Sequence, residues 1–324
     1  MAAKTTDGTL ILSRKALRDK KLKSLRRRIN LNWELYVIIA IPLIWLLIFC
    51  YYPMYGVQIA FRRFSALKGI MGSPWVGLDN FIRFFESYNF ARVIKNTLSI
   101  SVYDLVMGFP FPIILAILLN NCLKHKFKKF VQIVTYMPYF ISTVVMVGII
   151  IQFLSPKVGI VNHAIRALGG TEIDFMAKPD YFRNIYVWSS IWQGTGWTAI
   201  IYLSALSSVD PGLHEAALVD GANRFQRMWY IDIPCLLPTI AIMLTLRAGS
   251  IMSVGFEKAF LMQNDLNIRA SEIISTYVYK TGLAAAAPDY SYSSAIGLFN
   301  SVINLVLISI VNYINARINE ISLW

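Results

Sequence analysis

The polar stretch between Ser207 and Leu237 carries residue types that suit mechanical work rather than catalysis. Asp210 followed by Pro211 has the pattern of a helix N-cap and first turn. Glu215, Ala216, Ala217 and Leu218 then favour helix. Glu215 lies near the helix start, where the dipole favours a carboxylate and where it can pair with an arginine on a partner. Asp220 and Gly221 end that helix, because glycine accepts a left-handed backbone, and Ala222 follows. Phe225, Met228 and Trp229 share one face of a second short helix. Pro234 and Pro238 mark the return to an apolar run. A helix, a glycine turn and a helix form a stiff unit, which passes on a displacement that a loose loop would absorb. A hairpin that merely shields helix ends has the same composition.

Arg247 is the other residue that invites a chemical reading. It falls near the middle of the apolar run 237–257, where an ionised side chain is costly and suggests a functional site. It can meet an anionic ligand, or pair with carbonyls or an acid on a partner chain. Other chemistries are missing from the sequence. Cys50, Cys122 and Cys235 are scattered, with neither metal spacing nor a disulfide framework. His125, His163 and His214 pair with no cysteine or second histidine. There is no hydrolytic constellation and no G-x-x-x-x-G-K-[ST] phosphate loop, so ATP hydrolysis by that route is excluded.

The elements that position these residues are membrane helices. The 324 residues are 56% hydrophobic with mean hydropathy +0.53, and only 15% are charged. A soluble domain carries about 25% charged residues. About six runs approach the roughly 20 apolar residues a spanning helix needs. They are 34–60, 96–121, 131–153, 184–206, 237–257 and 292–316. Pro42, Pro53, Pro110, Pro112 and Pro138 fall inside them and predict kinks or packing contacts. Residues 1–33 form a basic tail ahead of a membrane domain over 34–324, with the polar loop at 207–237. Within the tail, 13–29 suits either an amphipathic surface helix or a disordered basic segment. No cleavable signal peptide is expected.

The net charge is +13, and the basic residues lie outside the apolar runs. That distribution fits topology signalling and anionic lipid better than nucleic acid. Arg26, Arg27 and Arg28, and the basic loop 124–129, place both termini and the 207–236 loop in the cytoplasm. Segments 61–95, 154–183 and 258–291 then lie outside.

The loop resembles the EAA motif of permeases in ATP-binding-cassette importers: E-A-A, three residues, G, nine residues, I-x-L-P. Glu215, Ala216, Ala217, Gly221, Ile231 and Pro234 match it, and Ile233 stands where leucine is usual. The stretch 196–206, Gly255-Phe256-Glu257-Lys258, 276–283 and the ending Ser322-Leu323-Trp324 are similar to carbohydrate importers, in particular those of oligo- and polysaccharides. Within that subgroup the chain resembles one permease half of the alginate importer of Gram-negative sphingomonads.

The resemblance implies an all-α, polytopic permease of the type I ABC importer fold in the bacterial inner membrane. It implies that the loop is a coupling helix seated in a cleft of the ATPase. The implied partners are a second permease subunit, two ATPase subunits that hold ATP and Mg, and an extracytoplasmic solute-binding protein. The permease itself is then non-catalytic and carries no cofactor. An oligo- or polysaccharide, alginate among them, is the implied cargo, moved by alternating access. Sugars are held by aromatic faces and polar groups. Trp188, Trp192 and Gln193, together with Arg247, Asn300 and Asn304, are the pathway candidates. An interfacial aromatic belt for the tryptophans and helix–helix hydrogen bonding for the asparagines are the simpler readings. The functional alternative is a secondary transporter or channel that works without ATP. Such a protein has no use for an EAA hairpin.

Overall fold

Lipid offers no partner for a free backbone N–H or C=O, so long apolar runs must fold as helices. The computed structural model describes residues 5–6, 9–10 and 31–319. Among these, the regular elements are helical apart from a two-residue pairing of Thr5–Thr6 with Thr9–Leu10 and one bridge between Arg62 and Trp75. The expected surface helix at 13–29 and the final Ser322-Leu323-Trp324 lie outside the described residues. Residues 1–58 and 59–324 form two compact units.

The helices, in chain order, are α1 (Trp33–Phe61), α2 (Asp79–Glu86), α3 (Tyr88–Asn120), α4 (His125–Phe140) and α5 (Thr143–Leu154). They continue as α6 (Ile160–Ala167), α7 (Pro179–Ser207), α8 (Pro211–Val219) and α9 (Arg224–Gly249). The last are α10 (Phe256–Met262), α11 (Ile274–Tyr279) and α12 (Tyr290–Asn319). Four of them, α1, α3, α9 and α12, are long and apolar enough to cross a membrane, and α4 with α5 makes a fifth crossing if counted as one bent span.

This differs from six straight spans in three ways. The third run breaks: α4 and α5 meet at 101°. Pro138 draws residues 137–140 into a tighter turn, and Ser142 starts a new helix by accepting the Val145 N–H. The fourth run lies in α7, which is 29 residues long but diluted by Ser189, Ser190, Gln193 and Thr195. The fifth run starts earlier and stops earlier than its apolar pattern suggests. Helix α9 begins at Arg224 and ends at Gly249, and 250–255 follow as an irregular segment.

Helix α7 is the central post of the second unit and touches α3, α4 and α9. Ile100 of α3, Val147 of α5, Phe182, Tyr186 and Ile191 of α7, and Ala259 of α10 share one buried cluster. Ala116 and Ile117 of α3, Ala199, Tyr202 and Leu206 of α7, and Leu236 of α9 share another, nearer the polar loop. A third joins Phe84, Val93, Ile274, Tyr277, Tyr292 and Ile296. Many large apolar side chains outside these clusters stay exposed, among them Val106, Ile114 and Leu118 on α3 and Val302 and Leu305 on α12, as a lipid-facing surface requires.

Candidate coupling hairpin and membrane charge cluster

The polar loop folds as a capped hairpin. Asp210 accepts the Gly212 N–H at 2.9 Å, and Pro211 opens α8. At the other end the Ala222 N–H reaches the Ala217 carbonyl at 2.8 Å and the Gly221 N–H reaches Leu218 at 3.1 Å. This paired closure needs a left-handed residue at its corner, and Gly221 supplies it with φ +79°. Asn223 and Gln226 then form a reciprocal capping box that starts α9. The second arm is therefore not a separate helix. It is the first turns of α9, which passes through a wider π turn at Met228–Asp232 and continues past Pro234 and Pro238.

No residue of α8 is buried. Glu215 and Ala216 are exposed, as are Leu213, Leu218 and Val219, and across the turn Phe225, Trp229 and Tyr230. The result is an exposed ridge that is charged and partly apolar. Its root is fixed by a triad that the sequence reading passed over. Asp232, fully buried in the π turn, accepts from Asn121 Nδ2 at 2.7 Å and stands 3.4 Å from His214 Nε2. Asn121 closes α3 and His214 belongs to α8, so one carboxylate ties the hairpin to the ends of two long helices.

Helix α9 carries Arg247 at its other end. Arg247 is in the last turn, not the middle, because α9 stops at Gly249. Its Nη1 lies 3.6 Å from the Asp104 carboxylate on α3, and each side chain is about one third exposed. Gly108, one turn along α3, leaves the space: a Cβ there would sit 3.4 Å from Arg247 Nη1. Both groups line a cavity of about 180 Å³ with Ser101, Tyr186, Ser190 and Ser250. Arg247 Nη1 and Ser101 Oγ are buried and make no hydrogen bond among the described residues. Lys258 of α10 completes the cluster from behind. It donates to Ser190 Oγ at 2.6 Å and to the Tyr186 carbonyl at 3.0 Å. One cation and one carboxylate thus line a small polar chamber, with Lys258 behind its Tyr186 and Ser190 wall. Asp104 is a lone acid in an apolar run, the same signal that singled out Arg247, and it was the residue to look for.

The distance from hairpin to cluster can be read along two helices. Asp232 to Arg247 is 15 residues of α9, a rise of about 22 Å. Asn121 to Asp104 is 17 residues of α3, about 25 Å. The two rulers agree on the separation, and α9 joins the cluster directly to the hairpin.

The other pathway candidates are not gathered there. Trp188 donates to Tyr103 at 3.1 Å and meets Phe111 edge-on, and Trp192 is exposed. Gln193 donates to the Ile141 carbonyl at 2.9 Å and so satisfies the broken helix between α4 and α5. Asn304 does the same for the break after α9, accepting from the Met252 N–H at 3.0 Å and donating to Ser253 Oγ at 2.9 Å. Asn300 lines a separate cavity with Phe256 and Tyr279.

Comparison with known proteins adds an independent line. Residues 108–320 match the family described as the binding-protein-dependent transport system inner membrane component. The chain is 43% identical to Protein LplB of Bacillus subtilis over 90% of this chain and 91% of that one. It is 39% identical to the polygalacturonan/rhamnogalacturonan transport system permease protein YteP of the same organism, over 94% and 95%. Among solved structures it is similar to a chain of a bacterial ABC transporter involved in import of the acidic polysaccharide alginate. The TM-score is 0.84 and the identity 40%, covering 91% of this chain and 99% of that one. A second structure of such a transporter, in complex with an alginate pentasaccharide-bound periplasmic protein, matches at TM-score 0.84 and 39% identity.

Proposed function

We propose, from the premise that the chain belongs to the binding-protein-dependent transport system inner membrane component family, that it moves an acidic oligo- or polysaccharide inward as one half of a permease pair. The chain is a membrane-spanning permease subunit of an ATP-driven importer, with the all-α type I ABC importer fold. Its partners in this reading are a second permease, two ATPase subunits that bind ATP and Mg, and a periplasmic solute-binding protein. Both termini and the hairpin face the cytoplasm. Alginate and pectin-like uronates are the cargo class, in line with what the relatives carry.

The observation that carries the coupling role is the exposed, doubly capped hairpin continuous with a spanning helix. ATP-driven closure of the ATPases pushes on Glu215, Ala216, Ala217 and Leu218. The corner at Asp220, Gly221 and Ala222 keeps the push from dissipating. The Asp232 triad passes it to α3 and along α9, in which Pro234 lies just beyond Asp232. The far end of α9 meets α3 through Arg247 and Asp104, so motion at the hairpin changes the chamber. Arg247, whose Nη1 faces Asp104 but makes no hydrogen bond, is positioned to receive a uronate carboxylate when the chamber opens.

The test is uptake by the complete importer reconstituted in liposomes. Uronate oligosaccharide should accumulate only with internal ATP and loaded binding protein. Uptake that survives ATP depletion and collapses with the ion gradient would support a secondary transporter instead. In the same assay Arg247→Ala should raise the apparent KM for uronate by about tenfold or more, the loss of one charge-assisted contact. Wild-type rate and affinity would remove Arg247 from the pathway.

A further inference from the structure

A second polar site lies at the opposite end of the molecule from the hairpin. Lys95 precedes Asn121 by 26 residues of α3, and Arg183 precedes Ser207 by 24 residues of α7, rises of about 39 and 36 Å. That is close to the full bilayer with its headgroups, about 40–45 Å. Here the start of α3, the start of α7 and the turn around Arg269 enclose an open cleft of about 930 Å³.

Four cations line it, Arg92, Lys95, Arg183 and Arg269, against one acid, Asp180. Arg92 is answered by the buried Glu272, which also takes Lys280 at 3.3 Å. Arg183 donates to Asn96 Oδ1 at 3.2 Å, yet its Nε is buried without a partner among the described residues. The side chains of Lys95 and Arg269 are exposed and make no ion pair or hydrogen bond among the described residues. The floor is built. Asn96, 2% exposed, donates to the carbonyls of Arg269 at 2.8 Å and Glu272 at 3.0 Å, pinning that turn to α3. Tyr88, 91% exposed, stands at the rim.

We infer that this cleft is an outer-face subsite for the carboxylates of an acidic oligosaccharide, held before it enters the membrane chamber. The inference rests on the proposed importer reading for which face is outside. Excess positive charge that fold-internal acids leave uncompensated selects an anion. Guanidinium groups suit carboxylates, and an exposed tyrosine offers a sugar ring a flat face. The concavity and its volume fit a chain of sugar rings better than the flat patch of a protein contact.

The test compares the complete importer in nanodiscs with the Lys95→Gln/Arg269→Gln double variant. These two side chains support nothing else, so the fold should stand. The probes are a uronate oligosaccharide and its carboxyl-reduced, neutral counterpart of equal length. The wild type should bind the acidic probe about tenfold more tightly at low salt, and the double variant should lose most of that preference. An unchanged preference overturns the inference. So does weaker docking of the binding protein whether it carries an acidic or a neutral sugar, since the cleft then serves protein. A preference that appears only in nanodiscs of neutral lipid, and is absent where anionic headgroups can fill the cleft, assigns it to headgroups and also overturns it. Wild-type liposomes that import no saccharide would instead sink the importer reading itself.

Discussion

Gly221→Val should abolish coupled uptake while leaving the chain inserted in the membrane at normal level. Nothing stands within 4 Å of a Cβ built at Gly221, so the fault is conformational and not steric crowding. With φ at +79°, a side-chain-bearing residue pays about 1–2 kcal/mol, and a β-branched one is worse still. That is enough to shift a two-state docking equilibrium by about five- to thirtyfold. The strain relaxes by opening the corner, which breaks the Ala222–Ala217 and Gly221–Leu218 closures and turns α8 away from α9. ATP hydrolysis then continues without answering to loaded binding protein. Gly221→Asn, which tolerates the left-handed region, should keep most of the uptake. Uptake and stimulated ATPase in liposomes check both variants. Normal uptake by the valine variant would contradict the coupling role of the corner.

Gly196→Val should cost the fold itself. Gly196 lies where α7 crosses α4, and a Cβ there would come within 2.0 Å of the Thr135 carbonyl oxygen and 2.9 Å of the Tyr136 nitrogen. Those are backbone atoms, so no rotamer change relieves the contact and the two helices must separate. Small residues permit such close crossings in membranes. Overpacking of side chains alone costs about 1–3 kcal/mol, and a backbone clash costs more. Helix separation would also pull Trp197 from its stacked contact with Tyr139 at 4.6 Å and Gln193 from Ile141. The variant should yield little monodisperse protein in detergent and a markedly lower Tm. Gly194→Ala, where nothing stands within 4 Å, is the control and should behave as wild type. An equally stable Gly196→Val protein would refute the close crossing.

Local chemistry made the hairpin legible. An N-cap, a proline and a glycine corner act over a few residues, and their pattern does not depend on what packs around them. Apolar length likewise made the spanning helices legible. Where they end was hidden, because breaks are settled by distant partners. Asn304 answers the break after Gly249, and Gln193 answers the one at Ile141. Both residues read in sequence as pathway candidates, and both serve backbone that a straight span would not expose. Arg247 stood out as a cost in lipid, but its offset, Asp104, is 143 positions earlier in the chain. The Asp232 triad has the same character: Asn121, His214 and Asp232 meet only once α3, α8 and α9 are in place. Charge balance in the cleft at the starts of α3 and α7 is equally nonlocal, since Glu272 neutralises Arg92 and leaves Lys95 and Arg269 free of it.

We propose that α8 is the surface on which a separate ATPase docks. It is tested most directly by placing one cysteine at Ala217→Cys, with Cys50, Cys122 and Cys235 replaced by serine, and cross-linking the assembled importer. A cross-link between this chain and the copurified ATPase subunit should form at one ATPase per chain in the presence of ATP and be lost with Gly221→Val. A cysteine that stays fully reactive to a soluble thiol reagent in the assembled, ATP-bound complex, with no cross-link to the ATPase, would contradict it.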